Sequence, residues 1–200
     1  MNPVSEIGIF TFVPGANIQE ALAGVEAISS RQEDIRNIRW GGVCTDEETK
    51  MQLVADWDDL SYHERYVQSG ADYAAVADIL GPILAAPPVV FHTHLDQDAL
   101  GIVLDAPVVE VITFYSVSEG FQDVARGVLS TRCASEGGAG FVDAPVLEEI
   151  AQQAGGVNAS AHSAAVAWAG RRQDQNQNQD LDWVLPGAGG VERHNVRFDA

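Results

Sequence analysis

The sequence predicts an α+β protein in which two ferredoxin-like βαββαβ repeats form an intrachain pseudo-dimeric α+β barrel. The first half orders its periodic segments as strand, helix, strand, strand, helix, strand. The stretch EIGIFTF at 6–12 is echoed by EVITFYS at 110–116, which indicates a duplication. Each repeat alone would expose one face of its sheet, so we expect the two faces to pack together and close a barrel.

The first repeat begins with a strand at 6–13, where apolar, β-branched and aromatic residues concentrate before Pro14–Gly15. Asn17, with Glu20 three residues later, is a capping box for an amphipathic helix that runs to about residue 36. The remaining predicted elements are strands at 38–45 and 50–57, helices at 59–69 and 72–84, and a strand at 89–95. Gly70 separates the two helices.

A linker is predicted at 97–106, and its 99–106 part separates a first repeat at 1–98 from a second at 107–200. In the second repeat we expect a strand at 108–117, a helix at 119–133, a glycine-rich loop at 137–140, a short helix at 145–154, a hairpin at 157–169 and a strand at 191–198. The Gln/Asn/Asp run at 171–182 has nothing to bury and predicts a loop. The second repeat is therefore degenerate, and we expect the active site in the first.

Composition excludes several classes of function. A formal charge of −18 disfavours nucleic acid and anionic membranes as partners and suits a soluble protein. Cys44 and Cys133 form neither a disulfide framework nor a zinc pattern. No signal peptide and no spanning apolar run is recognisable, so the expected compartment is cytoplasmic. The chain has no GxGxxG after a strand, no P-loop and no GxSxG, and we expect no cofactor.

Residues 57–96 hold three of the five histidines and three of the four tyrosines. His92 and His94 alternate with apolar residues, which places both on one sheet face as an acid–base pair or as hydrogen-bonded sheet residues. With Asp96 they could also ligate a metal, but this set is incomplete and we expect no metal. His63 and Tyr66 share a helix face, either in the site or as an exposed polar pair.

These patterns give two sets of candidate residues. The catalytic candidates are Tyr66, Tyr73, His92, His94 and His63. The substrate-binding candidates are Trp40, Trp57, Tyr62 and Phe91.

Four features of the first repeat support a resemblance to a known family: Trp57 at a strand end, Ser69 and Tyr73 opening the second helical segment, Leu80-Gly81-Pro82 closing it, and a histidine strand last. The pattern resembles the dimeric α+β barrel superfamily, in particular its antibiotic-biosynthesis-monooxygenase-like group, closely over 6–96 and loosely over 107–200. The superfamily includes cofactor-free monooxygenases, polyketide cyclases, heme-degrading enzymes and isomerases. The resemblance implies a pocket between sheet and helices for an apolar, polyketide-like ligand.

In plant polyketide cyclases of this superfamily a tyrosine and a histidine on the same helical segment act together. Tyr66 falls near that tyrosine, whereas Asp72 or Tyr73 stands where the histidine would be, so the chain departs from that pattern.

The sequence thus predicts a cofactor-independent tailoring enzyme of secondary metabolism that folds an apolar polyketide- or terpenoid-like precursor and promotes cyclisation or isomerisation. One alternative is a cofactor-free monooxygenase that oxidises a phenol, and another is a non-catalytic small-molecule binding protein. The expected assembly is a monomer or a homodimer, since the barrel is already complete within one chain.

Overall fold

The computed structural model describes residues 2–41, 47–68, 70–148, 160–168 and 185–198. It contains two four-stranded antiparallel sheets with the orders β2-β3-β1-β4 and β6-β7-β5-β8. Both orders are ferredoxin-like, which confirms the predicted α+β fold class and its duplication. Within the described residues no helix is both long and apolar enough to cross a membrane.

The first repeat contains β1 (Val4–Thr11), α1 (Ile18–Ser29), β2 (Ile35–Trp40), β3 (Lys50–Trp57), α2 (Leu60–Gln68), α3 (Ala71–Leu80), a 3-10 turn (Gly81–Ile83) and β4 (Val89–Thr93). The second contains α4 (Gln97–Leu104), β5 (Val108–Tyr115), α5 (Phe121–Glu136), β6 (Gly138–Pro145), β7 (Ala161–Trp168) and β8 (Gly190–Val196).

The two sheets face each other and close a barrel. Isolated bridges join their edges on both sides, Gly41 to Phe198 and Thr93 to Val146. One buried cluster contains apolar side chains from both sheets, such as Ile7 of β1 and Val111 of β5. The faces that each repeat alone would expose are thus buried against each other, and this confirms the intrachain barrel.

Several first-repeat boundaries differ from the predictions. Helix α1 begins as expected, where the Asn17 side chain accepts a hydrogen bond from the Glu20 backbone N–H at 3.4 Å. It ends at Ser29 instead of continuing to 36, because the chain from Ile35 onward pairs with β3. Strand β4 ends at Thr93, two residues earlier than predicted.

The predicted linker contains helix α4, whose Leu100, Val103 and Leu104 are buried in the barrel core. Asp96 caps this helix by accepting a hydrogen bond from the Ala99 backbone N–H at 3.0 Å. The capping residue and the apolar residues at helical spacing are the sequence signals of this helix, and they stand in the segment predicted as a linker.

The glycine-rich stretch at 137–140 is not a loop. Gly137 ends α5 in the left-handed conformation, with φ of 79°. Gly138 then starts β6 so close to α5 that a Cβ would lie 2.8 Å from the Cys133 Sγ. The glycines are thus needed for a helix cap and a close contact.

The hairpin predicted at 157–169 is also wrong, because 161–168 is the single strand β7, which pairs with β6 and β5. The stretch from Ala161 to Trp168 contains no Gly, Pro, Asn or Asp, and Ser163 is its one residue that favours turns. The short helix predicted at 145–154 falls mostly outside the described residues; its first residue, Pro145, belongs to β6. The loop predicted at 171–182 lies wholly outside them.

Candidate active site

A cavity of about 410 Å³ lies between the outer face of the first sheet and helices α1 to α3. This volume is in the range of small-molecule sites, about 300–1,000 Å³. Its walls are mainly apolar, with a few ionisable groups. The lining residues are Glu6, Phe10, Val25, Ser29, Ile35, Ile38, Trp40, Leu53, Ala55, Trp57, His63, Tyr66, Tyr73, Val76, Ala77, Leu80, Gly81, Leu84, Pro88, Val90 and His92.

Strand alternation decides which side chains reach the cavity. Ile7 and Phe91 are buried inside the barrel, so their neighbours Glu6 and His92 extend from the opposite, helix-covered face. Glu6 of β1 and His92 of β4 are register partners and therefore lie side by side. Trp57, at the end of β3, donates a hydrogen bond from its indole Nε1 to Glu6 Oε2 at 2.8 Å. The polar end of the cavity is built on three adjacent strands.

Helix α2 covers this polar end with His63 and Tyr66, one turn apart. The His63 ring packs on the Trp57 ring at 5.1 Å between centroids and on the His92 ring at 4.6 Å. His63 Nε2 lies 3.6 Å from Glu6 Oε2. Burial lowers the pKa of His63 despite the nearby Glu6 carboxylate, which favours a neutral imidazole.

Tyr66 packs between Trp57 and Tyr73, with ring centroids 5.9 Å from each. Burial, and then the negative charges of Asp72 and Glu6, raise the pKa of Tyr66 to about 12. Its hydroxyl therefore stays protonated over the physiological pH range and can donate a hydrogen bond. A protonated phenol at this position can stabilise an oxygen that gains negative charge.

His92 is held by a residue of the second repeat. Glu148 Oε1 lies 2.5 Å from the His92 ring Nδ1, and Glu148 Oε2 accepts a hydrogen bond from the His92 backbone N–H at 2.8 Å. The main chain reinforces the contact, because the Leu147 backbone N–H donates to the His92 carbonyl at 2.9 Å. The chain that leaves β6 thus delivers a carboxylate to the first-repeat site.

The Glu148 contact fixes the tautomer of His92. Burial alone would raise the pKa of Glu148, but the hydrogen bonds from the ring and backbone of His92 bring it below its ordinary value. An ionised carboxylate only accepts, so Nδ1 carries the proton. In the neutral ring Nε2 then presents a lone pair, and this buried atom has no hydrogen-bond partner among the described residues. A carboxylate, an oriented imidazole and an open Nε2 are the parts of a general base.

Six of the nine sequence-predicted site residues line the cavity: His63, Tyr66, Tyr73, His92, Trp40 and Trp57. The other three do not. His94 lies beyond the end of β4, exposed, where its ring bonds to the Pro3 carbonyl and the Asn2 side chain. Phe91 faces the barrel interior and is fully buried there. Tyr62 lies outside the cavity, with the Arg65 guanidinium 4.4 Å from its ring centre.

The structure adds two carboxylates that the sequence reasoning missed. Glu6 is the one charged residue in an otherwise apolar strand segment, EIGIF, and this exception could have identified it. Glu148 is separated from His92 by 56 positions, and no local pattern links the two. The metal set considered from the sequence is not assembled, because His94 lies outside the cavity and Asp96 caps α4.

The second-repeat counterpart of Glu6 has different partners. Strands β1 and β3 begin their pairing at Val4–Trp57, and β5 and β7 begin theirs at Val108–Trp168. When these two pairs are matched, Glu110 corresponds to Glu6. Glu110 is paired with Arg132 at 2.9 Å and with Arg193 at 3.3 Å, and Arg132 also lies over the Trp168 ring. Two arginines thus pair with Glu110, whereas Glu6 contacts the Trp57 indole and the His63 ring.

The same alignment identifies the second-repeat counterpart of His92. Glu110 pairs with Asn195 as Glu6 pairs with His92, so the counterpart of His92 is Asn195. His194 corresponds to Phe91 and lies inside the barrel, where its Nε2 is 2.9 Å from Glu192 Oε1.

No protein-family model and no curated protein sequence matches the chain. Solved structures share its fold along nearly the whole length. An anthrone oxidase-like protein is similar over 100% of this chain and 92% of its own, with a TM-score of 0.68 and 15% identity. A candidate monooxygenase from Fusobacterium nucleatum covers 98% of this chain and 92% of its own (TM-score 0.58, 9% identity). A candidate monooxygenase from Lactobacillus acidophilus covers 100% of this chain and 95% of its own (TM-score 0.56, 11% identity).

Proposed function

We propose that the chain is a cofactor-independent tailoring enzyme of secondary metabolism whose first repeat carries the active site. Its tandem α+β barrel fold, which the resemblance to the antibiotic-biosynthesis-monooxygenase-like group implied, supports this proposal. Its substrate would be an apolar aromatic compound with an acidic O–H or C–H, such as a phenol or an anthrone. The observation that carries the proposal is the buried, open Nε2 of His92, oriented by Glu148.

Substrate binding follows from the lining of the cavity. Trp40, Ile38 and Leu53 form an apolar wall that would bury the hydrocarbon part of the ligand. The ionisable groups are grouped at the other end, around His92, so the acidic position of the substrate would point there. Burial of the rings limits the motion of the bound molecule and presents one proton to one base.

The chemical step begins when His92 Nε2 accepts a proton from the substrate. The electron pair of the broken O–H or C–H bond stays on the substrate as a phenolate, an enolate or a carbanion. Glu148 stabilises the imidazolium that forms, and the protonated Tyr66 hydroxyl donates a hydrogen bond to the substrate oxygen. General-base catalysis of this kind contributes about 10²–10⁴-fold in rate.

Dioxygen is the second reactant. The electron-rich carbon donates electrons to O₂ and forms a C–O bond, and the imidazolium returns its proton to give a hydroperoxide. Loss of water from R₂CH–OOH leaves R₂C=O, so that R₂CH₂ and O₂ become R₂C=O and H₂O. The reduction of dioxygen is balanced by the oxidation of the substrate carbon, and no other reductant is consumed.

The fold likeness to an anthrone oxidase-like protein supports oxygenation over the cyclisation or isomerisation expected from the sequence. The same base could start either of those reactions, because both also begin with proton removal. Dioxygen consumption separates the alternatives, since cyclisation and isomerisation consume none.

The test is dioxygen uptake by the full-length, chelator-treated protein with an anthrone or a dihydroxyphenol, followed with an oxygen electrode and product analysis. We expect one O₂ consumed per product, and a loss of about 10²-fold or more in the His92→Ala variant. His94→Ala is the matched control, because His94 lies outside the cavity.

Product formation without dioxygen would contradict the oxygenase and favour the cyclase or isomerase. Tight binding of the aromatic compound without turnover would favour a binding protein. Equal activity in His92→Ala and wild type would remove His92 as the base.

A further inference from the structure

We propose that Glu6, His63 and His92 bind one divalent transition-metal ion, and that this ion inhibits the enzyme by occupying His92 Nε2. The site lies in the cavity already described. Metal binding itself follows from the geometry below, and only the inhibition rests on the proposed function.

The three side chains come from different elements and converge at one point. Each offers one ligand atom, and these atoms lie within 4.8 Å of one another. Around a bound ion, with metal–ligand distances of about 2.0–2.2 Å, ligand atoms sit about 3–3.5 Å apart. The most widely separated ligand atoms therefore need to draw together by as much as about 1.3–1.8 Å, which rotation of the His63 side chain on α2 can supply.

An unpartnered atom is the second, independent observation. The His92 side chain is only 7% exposed, and its Nε2 has no hydrogen-bond partner among the described residues. A buried polar atom without a partner carries a free-energy cost, which a ligand removes by bonding to it. A metal ion held also by His63 and Glu6 would satisfy this nitrogen.

Groups behind the ligands match those that support metal sites. Histidines that bind a metal commonly donate their other ring N–H to a carboxylate, as His92 does to Glu148. Glu6 is fixed in the same way by the Trp57 indole N–H. These contacts orient two of the three ligands before any ion arrives.

The ligand types indicate the class of ion. Two imidazoles and one carboxylate suit Zn²⁺, Fe²⁺ or Co²⁺ better than Mg²⁺ or Ca²⁺, which prefer all-oxygen sites. Three protein ligands leave at least one position open toward the cavity. One nitrogen lone pair cannot bind an ion and accept a proton together, so the bound ion would block the base.

Binding is tested first without substrate. The metal-free full-length protein is titrated with Co²⁺, and the visible ligand-field absorption is followed. We expect one Co²⁺ per chain. Loss of a group behind a ligand costs about 10–100-fold in affinity, so Glu148→Gln should weaken binding by that factor. His63→Ala and Glu6→Gln should weaken it at least as much, and His94→Ala should bind like wild type.

Absence of Co²⁺ binding, or wild-type affinity in both His63→Ala and Glu6→Gln, would overturn the proposal. Circular dichroism of each variant separates lost ligands from lost folding.

The inhibition is tested by adding Zn²⁺ during dioxygen uptake, and a chelator should relieve it. Turnover by the metal-free protein without any Co²⁺ binding would refute the metal site alone, whereas Co²⁺ binding by a protein inert toward aromatic substrates would refute the proposed function alone.

Discussion

Glu148→Gln is the sharpest test of how the second repeat serves the site in the first. The carboxylate accepts two hydrogen bonds, from the His92 backbone N–H and from the His92 ring Nδ1. Glutamine has a single acceptor oxygen, and its other terminal atom is a donor. The backbone N–H always donates, so the glutamine oxygen must serve it and the NH₂ group must face Nδ1.

That arrangement inverts the tautomer of His92. Nδ1 becomes the acceptor and Nε2 carries the proton, so the cavity loses its base without losing the imidazole. Loss of general-base catalysis is expected to lower kcat by about 10²–10⁴-fold, while the apolar wall and KM stay nearly unchanged. Glu119→Gln removes an exposed carboxylate of the same repeat and serves as the matched control.

The assay compares kcat across a series of phenols of increasing acidity and across pH. The variant should recover activity with substrates that are already ionised in solution, because these need no base. A purely structural role of Glu148 would depress turnover equally for all substrates. Uniform loss across the series, or full activity of Glu148→Gln with weakly acidic phenols, would refute the reasoning.

Three further outcomes are expected. Tyr66→Phe should lower kcat by about 10²-fold, measured by product formation, while circular dichroism stays unchanged. His94→Ala should leave turnover at the wild-type rate, and a large loss would place the reaction outside the cavity described. Glu192→Gln should destabilise the barrel, because Glu192 accepts from Lys50 across the two repeats at 3.0 Å. Burial would raise the pKa of Glu192, but its bonds to His194 and Lys50 lower this pKa from 4.5 to about 2. The shift corresponds to about 3 kcal/mol of folding stability. This stability is present above pH 4.5 and disappears toward pH 2. Urea unfolding at several pH values, with Glu119→Gln as control, should show this loss of stability at low pH in wild type and not in Glu192→Gln.

Local patterns predicted the first repeat well. Apolar alternation, capping residues and Pro/Gly punctuation located β1, β3, α2, α3 and β4 within a few residues. Alternation also placed His92 on the face opposite Phe91, and helical spacing placed His63 with Tyr66. These properties depend on neighbours in the sequence, where side-chain direction follows from backbone geometry alone.

The errors arose where the same local chemistry serves different tertiary contexts. The glycines at 137–140 suit a loop as well as a helix cap followed by a close-packed strand, and only the contact with Cys133 decides. His94 continues the alternation of β4, but the strand ends at Thr93, where the chain meets Val146 of the other repeat. That contact joins residues far apart in the chain, and no local pattern encodes it.

The sequence by itself thus determined the duplicated α+β fold and the region of the cavity, because both follow from periodicities repeated along the chain. Only the tertiary structure decided the chemistry of the site. Glu6 and His92 meet because β1 and β4 pair, and Glu148 reaches His92 because the closing barrel brings the end of β6 beside β4. The open Nε2 of His92 and the pairing of Glu110 with two arginines are likewise consequences of long-range packing. Such contacts join residues far apart in the chain, and no local spacing records them.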